Sequence, residues 1–248
     1  MKTVALYNIK GGVGKMAAAV NLGFCAARDG RRTLVWDLDP QGAASFYFRI
    51  RAKVKGGGRK LIRGKRPLDG QIRGTDYEGL DLLPADFSYR RMDQDLEATR
   101  RPVRRLAKLL APLAEEYDLV LLDCAPSITL VSEAVFAAAD TLLVPTIPTT
   151  LSLRTLDRLA RHVKKKGRRR AELLPFFSKV DRRKKLHRQI CDSDEAKRSG
   201  MLRTVIPNAT LIEQMGLRRA PVGAFAPTSA AARAYESLWR EVKGQTGL

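Results

Sequence analysis

Near its start the chain runs from a short apolar segment, Thr3–Asn8 (TVALYN), through the turn Lys10-Gly11-Gly12-Val13-Gly14-Lys15 into an Ala-rich stretch, Met16–Arg28. Few architectures accept that succession. A continuous apolar run of strand length reads as a strand buried on both faces, and alanine is the best helix former, with Gly30 placed to end the helix. Glycines between a strand and a helix let backbone N–H groups curl around an anion, and the helix N-terminus adds the positive end of its dipole. Lys15 would set its ammonium against the β- and γ-phosphates of a nucleotide. The opening residues therefore predict a βα unit of a parallel sheet with a phosphate-binding turn at its strand end.

The rest of the chain keeps that rhythm. Strands are expected at Arg32–Asp37, Leu80–Leu83, Asp118–Asp123, Thr141–Pro145, Glu172–Phe177 and Leu202–Ile206, with helical patterns between them, including Pro102–Glu116. Strands separated by helical segments of ten or more residues imply crossovers and a doubly wound, mostly parallel α/β sheet with helices on both faces. One domain over residues 1–248 is the expected organisation, interrupted around residues 49–74 by a basic, Gly-containing insertion that reads as an exposed loop. The tail Ser229–Lys243 reads as an amphipathic helix docked on the sheet through Tyr235, Leu238 and Trp239; its polar face mixes both charge signs, which disfavours a membrane.

Composition excludes several classes. No apolar run approaches the roughly 20 residues of a membrane span, and the N-terminus lacks the pattern of a secretory signal. Cys25, Cys124 and Cys191 are too scattered for a disulfide framework or a zinc site, so a reduced, cytoplasmic protein is expected. His162 and His187 have no metal partner at helical spacing and are assigned no chemistry. The net charge is +20. Residues 49–73 hold ten Lys and Arg against one acidic residue, and residues 151–220 hold 20 against seven, so everything else sums to −2. Two basic segments on a near-neutral scaffold point to a polyanionic partner.

The turn departs from the usual P-loop pattern, G-x-x-x-x-G-K-[ST], in having Ile9 at the first glycine position and an extra lysine, Lys10. In this it resembles the deviant P-loop of the ParA/MinD superfamily, KGGxGK[ST]. The resemblance continues in Asp37-Leu38-Asp39-Pro40-Gln41-Gly42, which matches a DxDPQG segment, and in Asp123-Cys124-Ala125-Pro126-Ser127, similar to a Walker B aspartate and its switch segment. It extends to Thr141–Leu156, similar to a segment packed near a dimer interface, to Asp181-Arg182-Arg183 in the place of a nucleotide-side loop, and to Ile206-Pro207-Asn208, similar to an adenine-side loop.

The resemblance implies an ATPase that binds ATP and Mg²⁺. Gly11, Gly12, Val13, Gly14, Lys15, Met16 and Ala17 would hold phosphates, and Pro207 and Asn208 would lie by the adenine. Asp37 and Asp123 would hold Mg²⁺ through water, Asp39 would position the attacking water, and Lys10 would cross a homodimer to the partner's nucleotide. It also implies non-specific DNA binding on the nucleoid, a cargo (chromosome, plasmid or protein body), and an adaptor that stimulates hydrolysis, without stable membrane association. The DNA-binding residues expected are Lys164, Lys165, Arg182, Arg183, Lys184, Lys185, Arg188, Arg218 and Arg219, the first two opening a basic run to Arg170.

Met16 stands where the pattern has Ser or Thr, whose hydroxyl is a direct Mg²⁺ ligand. A thioether is a poor ligand for a hard cation, so either water fills that position or hydrolysis is impaired. A MinD-like membrane regulator and a non-catalytic nucleotide sensor are the alternative readings. A reductase of the nitrogenase iron-protein kind lacks its cluster cysteines here.

Overall fold

The computed structural model describes residues 1–165 and 171–248, with the backbone alone for Lys164 and Lys165. Its strands are β1 (Lys2–Leu6), β2 (Thr33–Asp37), β3 (Arg73–Gly74), β4 (Leu80–Leu83), β5 (Leu119–Asp123), β6 (Thr141–Thr146), β7 (Glu172–Val180) and β8 (Val205–Pro207). Its helices are α1 (Lys15–Arg28), α2 (Ala43–Tyr47), α3 (Gly58–Ile62), α4 (Met92–Glu97), α5 (Arg105–Leu110) and α6 (Leu130–Ala138), then α7 (Thr150–Lys165), α8 (Lys185–Cys191), α9 (Asp194–Arg198), α10 (Thr210–Arg218), α11 (Val222–Phe225) and α12 (Ala230–Thr246).

Among the described residues the strands form one sheet in the order β3-β4-β2-β5-β1-β6-β7-β8, parallel throughout except for the short β3–β4 pair. Alternation of side chains along each strand divides the core into two layers. Val4 and Leu6 of β1 face a layer with Val35, Leu121 and Phe176, covered by α1 and α12. Ala5 and Tyr7 face the other layer with Trp36, Leu122 and Val144, which also holds residues of α3 to α7. The sheet is doubly wound. From β1 the chain moves out to β2 and β4 on one side, returns to β5 between β2 and β1, and then runs through β6, β7 and β8 on the other side, so the loop after β1 lies at the topological switch point, where open parallel sheets bind ligands.

Four elements differ from expectation. The stretch Pro102–Glu116 is helical only in pieces, with 3-10 turns at Pro102–Arg104 and Ala111–Glu115 either side of α5. Pro112 has no N–H to donate, so the hydrogen-bond ladder of α5 is broken there. The last strand starts at Val205 rather than Leu202, because the N–H groups of Arg203 and Thr204 donate to the Glu241 carboxylate of α12 at 2.6 and 2.9 Å. β7 runs on to Val180, three residues past the expected end, with a register shift between Phe177 and Val180. The 49–74 insertion is no free loop: it contains α3 and buries Val54, Leu61, Ile62, Leu68 and Gln71.

α12 docks as its apolar spacing predicts. Ser229 caps it, and Tyr235, Leu238 and Trp239 are buried. The Asp29 carboxylate at the end of α1 accepts from Trp239 Nε1 at 3.1 Å and Lys243 Nζ at 2.7 Å. No helix among the described residues is long and apolar enough to cross a membrane.

α1 approaches the sheet closely at Gly23. A Cβ there would lie 2.9 Å from Val35 Cγ2 and 3.2 Å from Leu80 Cδ1. Alanine would contribute about 1 kcal/mol of helix propensity, but crowding a stiff β-branched neighbour costs about 1–3 kcal/mol. Gly23→Ala is therefore expected to lower stability by about 1 kcal/mol net, a fall of roughly 2–4 °C in Tm for a chain of this size. Thermal denaturation measures it, and a rise in Tm would contradict the packing assigned to α1.

Candidate nucleotide site

The turn after β1 is shaped by two glycines with positive φ, Gly12 at 72° and Gly14 at 98°, a region that side chains on Cβ disfavour. Asn8 braces its first half: the side-chain amide donates to Pro145 O at 2.8 Å, and Oδ1 accepts from Lys10 N at 2.9 Å. Ser178 of β7 braces the second half, its hydroxyl donating to Val13 O at 2.6 Å. Tyr7, buried at the end of β1, donates to Ser127 O at 2.6 Å and so holds the segment after β5.

Lys15 is buried, and its ammonium donates to Asn8 O at 3.1 Å and Lys10 O at 3.0 Å. Burial pulls its pKa down; the Asp123 carboxylate opposes that shift. Lys10 lies on the rim, with Nζ 3.4 Å from Ser152 Oγ of α7.

Two aspartates close the far side. β2 and β5 are neighbours with Asp37 and Asp123 in register, so parallel pairing places both at the same sheet edge as the turn. Both are almost fully buried. Burial chiefly, with Asp39 adding, raises Asp37 to about 6, although the Ser45 N–H and hydroxyl, each 2.8 Å away, donate to its carboxylate. Burial and the charges of Asp37 and Asp39 push Asp123 well up, and Lys15 offsets part of that. Asp39 is half-buried and accepts from Gln41 N at 2.9 Å. The Cys124 thiol is buried and its pKa is raised by that burial, which makes it a packing residue rather than a nucleophile.

A cleft beside the turn is lined by Gly14, Ala17, Ser178, Pro207, Asn208 and Tyr235. Asn208 N donates to Val180 O at 2.9 Å, which fixes this loop against β7. The chain thus brings together a glycine turn, a buried lysine, paired carboxylates and an apolar cleft at one strand-end edge.

A family model described as an AAA domain matches residues 1–174. The chromosome partitioning protein ParA of Caulobacter vibrioides is 30% identical over 253 residues, covering 98% of this chain and 94% of that protein. The chain belongs to the ParA-type P-loop ATPases. The chromosome-partitioning ATPase Soj of Treponema pallidum is 29% identical over 99% of this chain and 98% of its own length. Among solved structures, a cobyrinic acid a,c-diamide synthase from Mycobacterium smegmatis with bound ADP and magnesium superposes with a TM-score of 0.83 at 25% identity, covering 100% of this chain and 97% of that one.

In this ParA-type chain Met16 follows Lys15 in the first turn of α1, half-buried and packed against the core layer under α1. The basic residues expected to meet DNA fall in two places. Arg182, Arg183, Lys184, Lys185 and Arg188 are exposed beyond the end of β7. Arg183 there forks onto Asp181 through Nε and Nη2, both at 2.9 Å, and Arg188 donates to the Arg182 carbonyl. Arg218 and Arg219 end α10, about 13 Å of helix away from Asn208. Arg219 Nε donates to Phe46 O at 3.0 Å and its guanidinium lies 4.6 Å from the Phe46 ring centroid. The side chains of Lys164 and Lys165, and the run to Arg170, lie outside the described residues. His187 is buried and accepts from Asp181 N at 3.1 Å, a structural role for a histidine given none.

Sequence reading missed Asn8, Ser45, Ser152 and Ser178. An Asn between a strand and a glycine turn is a recognisable turn signal. The three serines gave no local signal for the site, because the bonds that tie them to it run to partners 8 to 165 positions away. Ser178→Ala leaves the Val13 carbonyl without its donor, and is expected to cost about 1–3 kcal/mol of stability and to weaken nucleotide binding. Denaturant unfolding and nucleotide titration measure the two. Unchanged values would show that the brace does not hold the turn.

Proposed function

We propose that this chain, as one domain over residues 1–248, is an ATP-switched, DNA-binding positioning protein. The observation that carries the reading is Lys15 held beneath a glycine turn with Asp37 and Asp123 at the ends of neighbouring strands. Backbone N–H groups of residues 11–17 receive the phosphates. Lys15 exchanges its two carbonyl acceptors for phosphate oxygens, which are stronger acceptors for a cation. Asp39 orients the attacking water, and Pro207 and Asn208 flank the adenine beside Gly14 and Ala17. Lys10 reaches the nucleotide of a second copy in a face-to-face homodimer.

The donor set suits Mg²⁺ bound chiefly through phosphate and water. Two buried carboxylates whose charged forms are disfavoured gain from a nearby cation, and among the described residues no group of three His, Cys, Asp or Glu is arranged to hold a metal alone. Mg²⁺ bound there supplies charge neutralisation during phosphoryl transfer. Asp37 and Asp123 would hold it through water, but Met16 offers no oxygen. That departure favours impaired hydrolysis and keeps a non-catalytic nucleotide sensor as the second reading. Met16→Thr is expected to raise ATP turnover at least several-fold, measured as phosphate release at saturating Mg²⁺. Equal rates would show that the missing hydroxyl is not limiting.

Exposed Arg182, Arg183, Lys184, Lys185 and Arg188, with Arg218 and Arg219, contact DNA phosphates without reading bases. Dimerisation doubles that surface, so DNA affinity follows nucleotide state. The protein is then cytoplasmic and nucleoid-associated, and an adaptor on the cargo stimulates release. The burial of Tyr235, Leu238 and Trp239 supports this over a MinD-like membrane regulator, since α12 has no spare apolar face. Lys184→Glu with Lys185→Glu is expected to weaken binding to unrelated duplexes alike and to flatten the salt dependence by about 0.9 per lost phosphate contact. Unaltered affinity would remove this loop from the DNA surface.

A further inference from the structure

The basic segment after α2 has no part in the nucleotide site. Residues 49–66 hold nine Lys and Arg and no acidic residue. In a free chain such charge would be merely solvating, but this backbone is built into the fold. Val54, Leu61, Ile62 and Leu68 are buried. Backbone N–H groups of Val54, Lys55 and Gly58 donate to the side chains of Asp86, Gln71 and Ser88 at 2.8–2.9 Å. α3 packs on α4, α5 and the 3-10 turn Phe87–Arg91. The apolar side chains face inward, and the cations are fixed on the outside.

Holding like charges together raises the free energy of the folded state through self-repulsion, and little nearby relieves it. Arg49 pairs with Asp76, and Arg59 and Arg63 share Asp95. Lys53, Lys55, Lys60 and Lys65 are exposed, and among the described residues their ammonium groups have no ion-pair or hydrogen-bond partner. The adjoining turn adds Phe87, 63% exposed, with the Arg90 guanidinium 4.1 Å from its ring centroid. The surface is continuous with the end of α10, because Arg49 Nη2 donates to Arg218 O at 3.1 Å.

We propose that this face, centred on Lys53, Lys55, Lys60 and Lys65, is a second phosphate-binding surface for duplex DNA, separate from the loop Arg182–Arg188. It rests on the reading that the chain binds DNA, and adds a place. The two surfaces follow β2 and β7, four strand positions apart, or roughly 19 Å across the sheet. A duplex presents one negative charge per ~1.7 Å of axis, which suits cations spread along an ordered segment. A bilayer would also require a cluster of large exposed apolar side chains; Val54, Leu61, Ile62 and Leu68 are turned into the core, and among the described residues 49–91 only Phe87 is large, apolar and exposed. Each chain thus neutralises more phosphates than one basic loop allows, and its DNA affinity is correspondingly more salt-sensitive.

The test uses the full chain with ATP and Mg²⁺, and the fourfold variant Lys53→Gln, Lys55→Gln, Lys60→Gln, Lys65→Gln. Binding to duplexes of unrelated sequence is followed by fluorescence anisotropy between about 50 and about 200 mM salt. The expected result is unchanged ATP turnover and Tm, weaker binding to every duplex, and a log–log salt slope shallower by roughly 3–4, near 0.9 per lost contact. Combining these changes with Lys184→Glu and Lys185→Glu should flatten the slope further. If the fourfold variant keeps the wild-type slope, the second surface is overturned and the DNA-binding reading stands. If the wild-type chain binds no duplex in any nucleotide state, both fall. Loss of pelleting with phosphatidylserine vesicles at an unaltered duplex slope would make this a lipid-binding face and would also overturn the proposal.

Discussion

A buried ammonium set near two buried carboxylates is the interaction on which this molecule's organisation depends. Lys15, Asp37 and Asp123 are each under 10% exposed, and removing three charges from water is costly unless each finds compensation. Lys15 obtains it from two carbonyls, and Asp37 from the N–H and hydroxyl of Ser45. Asp123 lies by Lys15, with its pKa raised chiefly by burial and further by its two acidic neighbours. The arrangement requires β1, β2 and β5 to be adjacent and parallel, since only then do a turn and two strand ends meet at one edge. The doubly wound order supplies that adjacency. The resulting site is poised to take up an anion with its cation, because the charged forms of both aspartates are disfavoured without one.

The same edge is tied to the basic surfaces by hydrogen bonds, buried at Ser178 and Asn21 and exposed at Arg218 and Arg219. Ser178 joins the turn to β7, whose end leads directly into Arg182 and Arg183. Asn21 of α1 donates to Ala17 O and Met215 Sδ and accepts from Val222 N, which fastens the helix behind the phosphates to α10 and α11. α10 ends in Arg218 and Arg219, and these reach back to Phe46 and Arg49 after the Asp37–Asp39 segment. These contacts form contiguous packed elements between the candidate nucleotide site and the basic surfaces proposed to bind DNA, a physical continuity through which the proposed gate would act.

Much of this was legible in the sequence where apolar periodicity was strong. The strand, turn and helix of residues 3–28 appear within a residue or two of expectation, and Leu80–Leu83 matches to the residue. Asp37 and Asp123 were legible because each ends a continuous apolar run. The 49–74 insertion was not, because Gly56-Gly57-Gly58 and Pro67 break up the seven-residue spacing of its buried Val54, Leu61 and Leu68 and basic residues crowd the positions between them. The start of β8 was hidden for a different reason: Glu241, nearly 40 residues later, takes the N–H groups that would have extended the ladder. Ser178 and Ser45 were silent because a serine's hydrogen-bond partner is decided by tertiary placement. The basic residues were visible as charge, but only the fold separates Arg182–Arg188 from Arg218–Arg219.

The claim that joins these parts is that nucleotide state controls the affinity of the basic surfaces for DNA. Duplex affinity of the full chain at fixed salt, with ATP, with ADP and without nucleotide, each with and without Mg²⁺, tests it most directly. Tight binding confined to the ATP state is the expected result. Equally tight binding in all six conditions would contradict the gate and leave an ungated polycation on a nucleotide-binding fold.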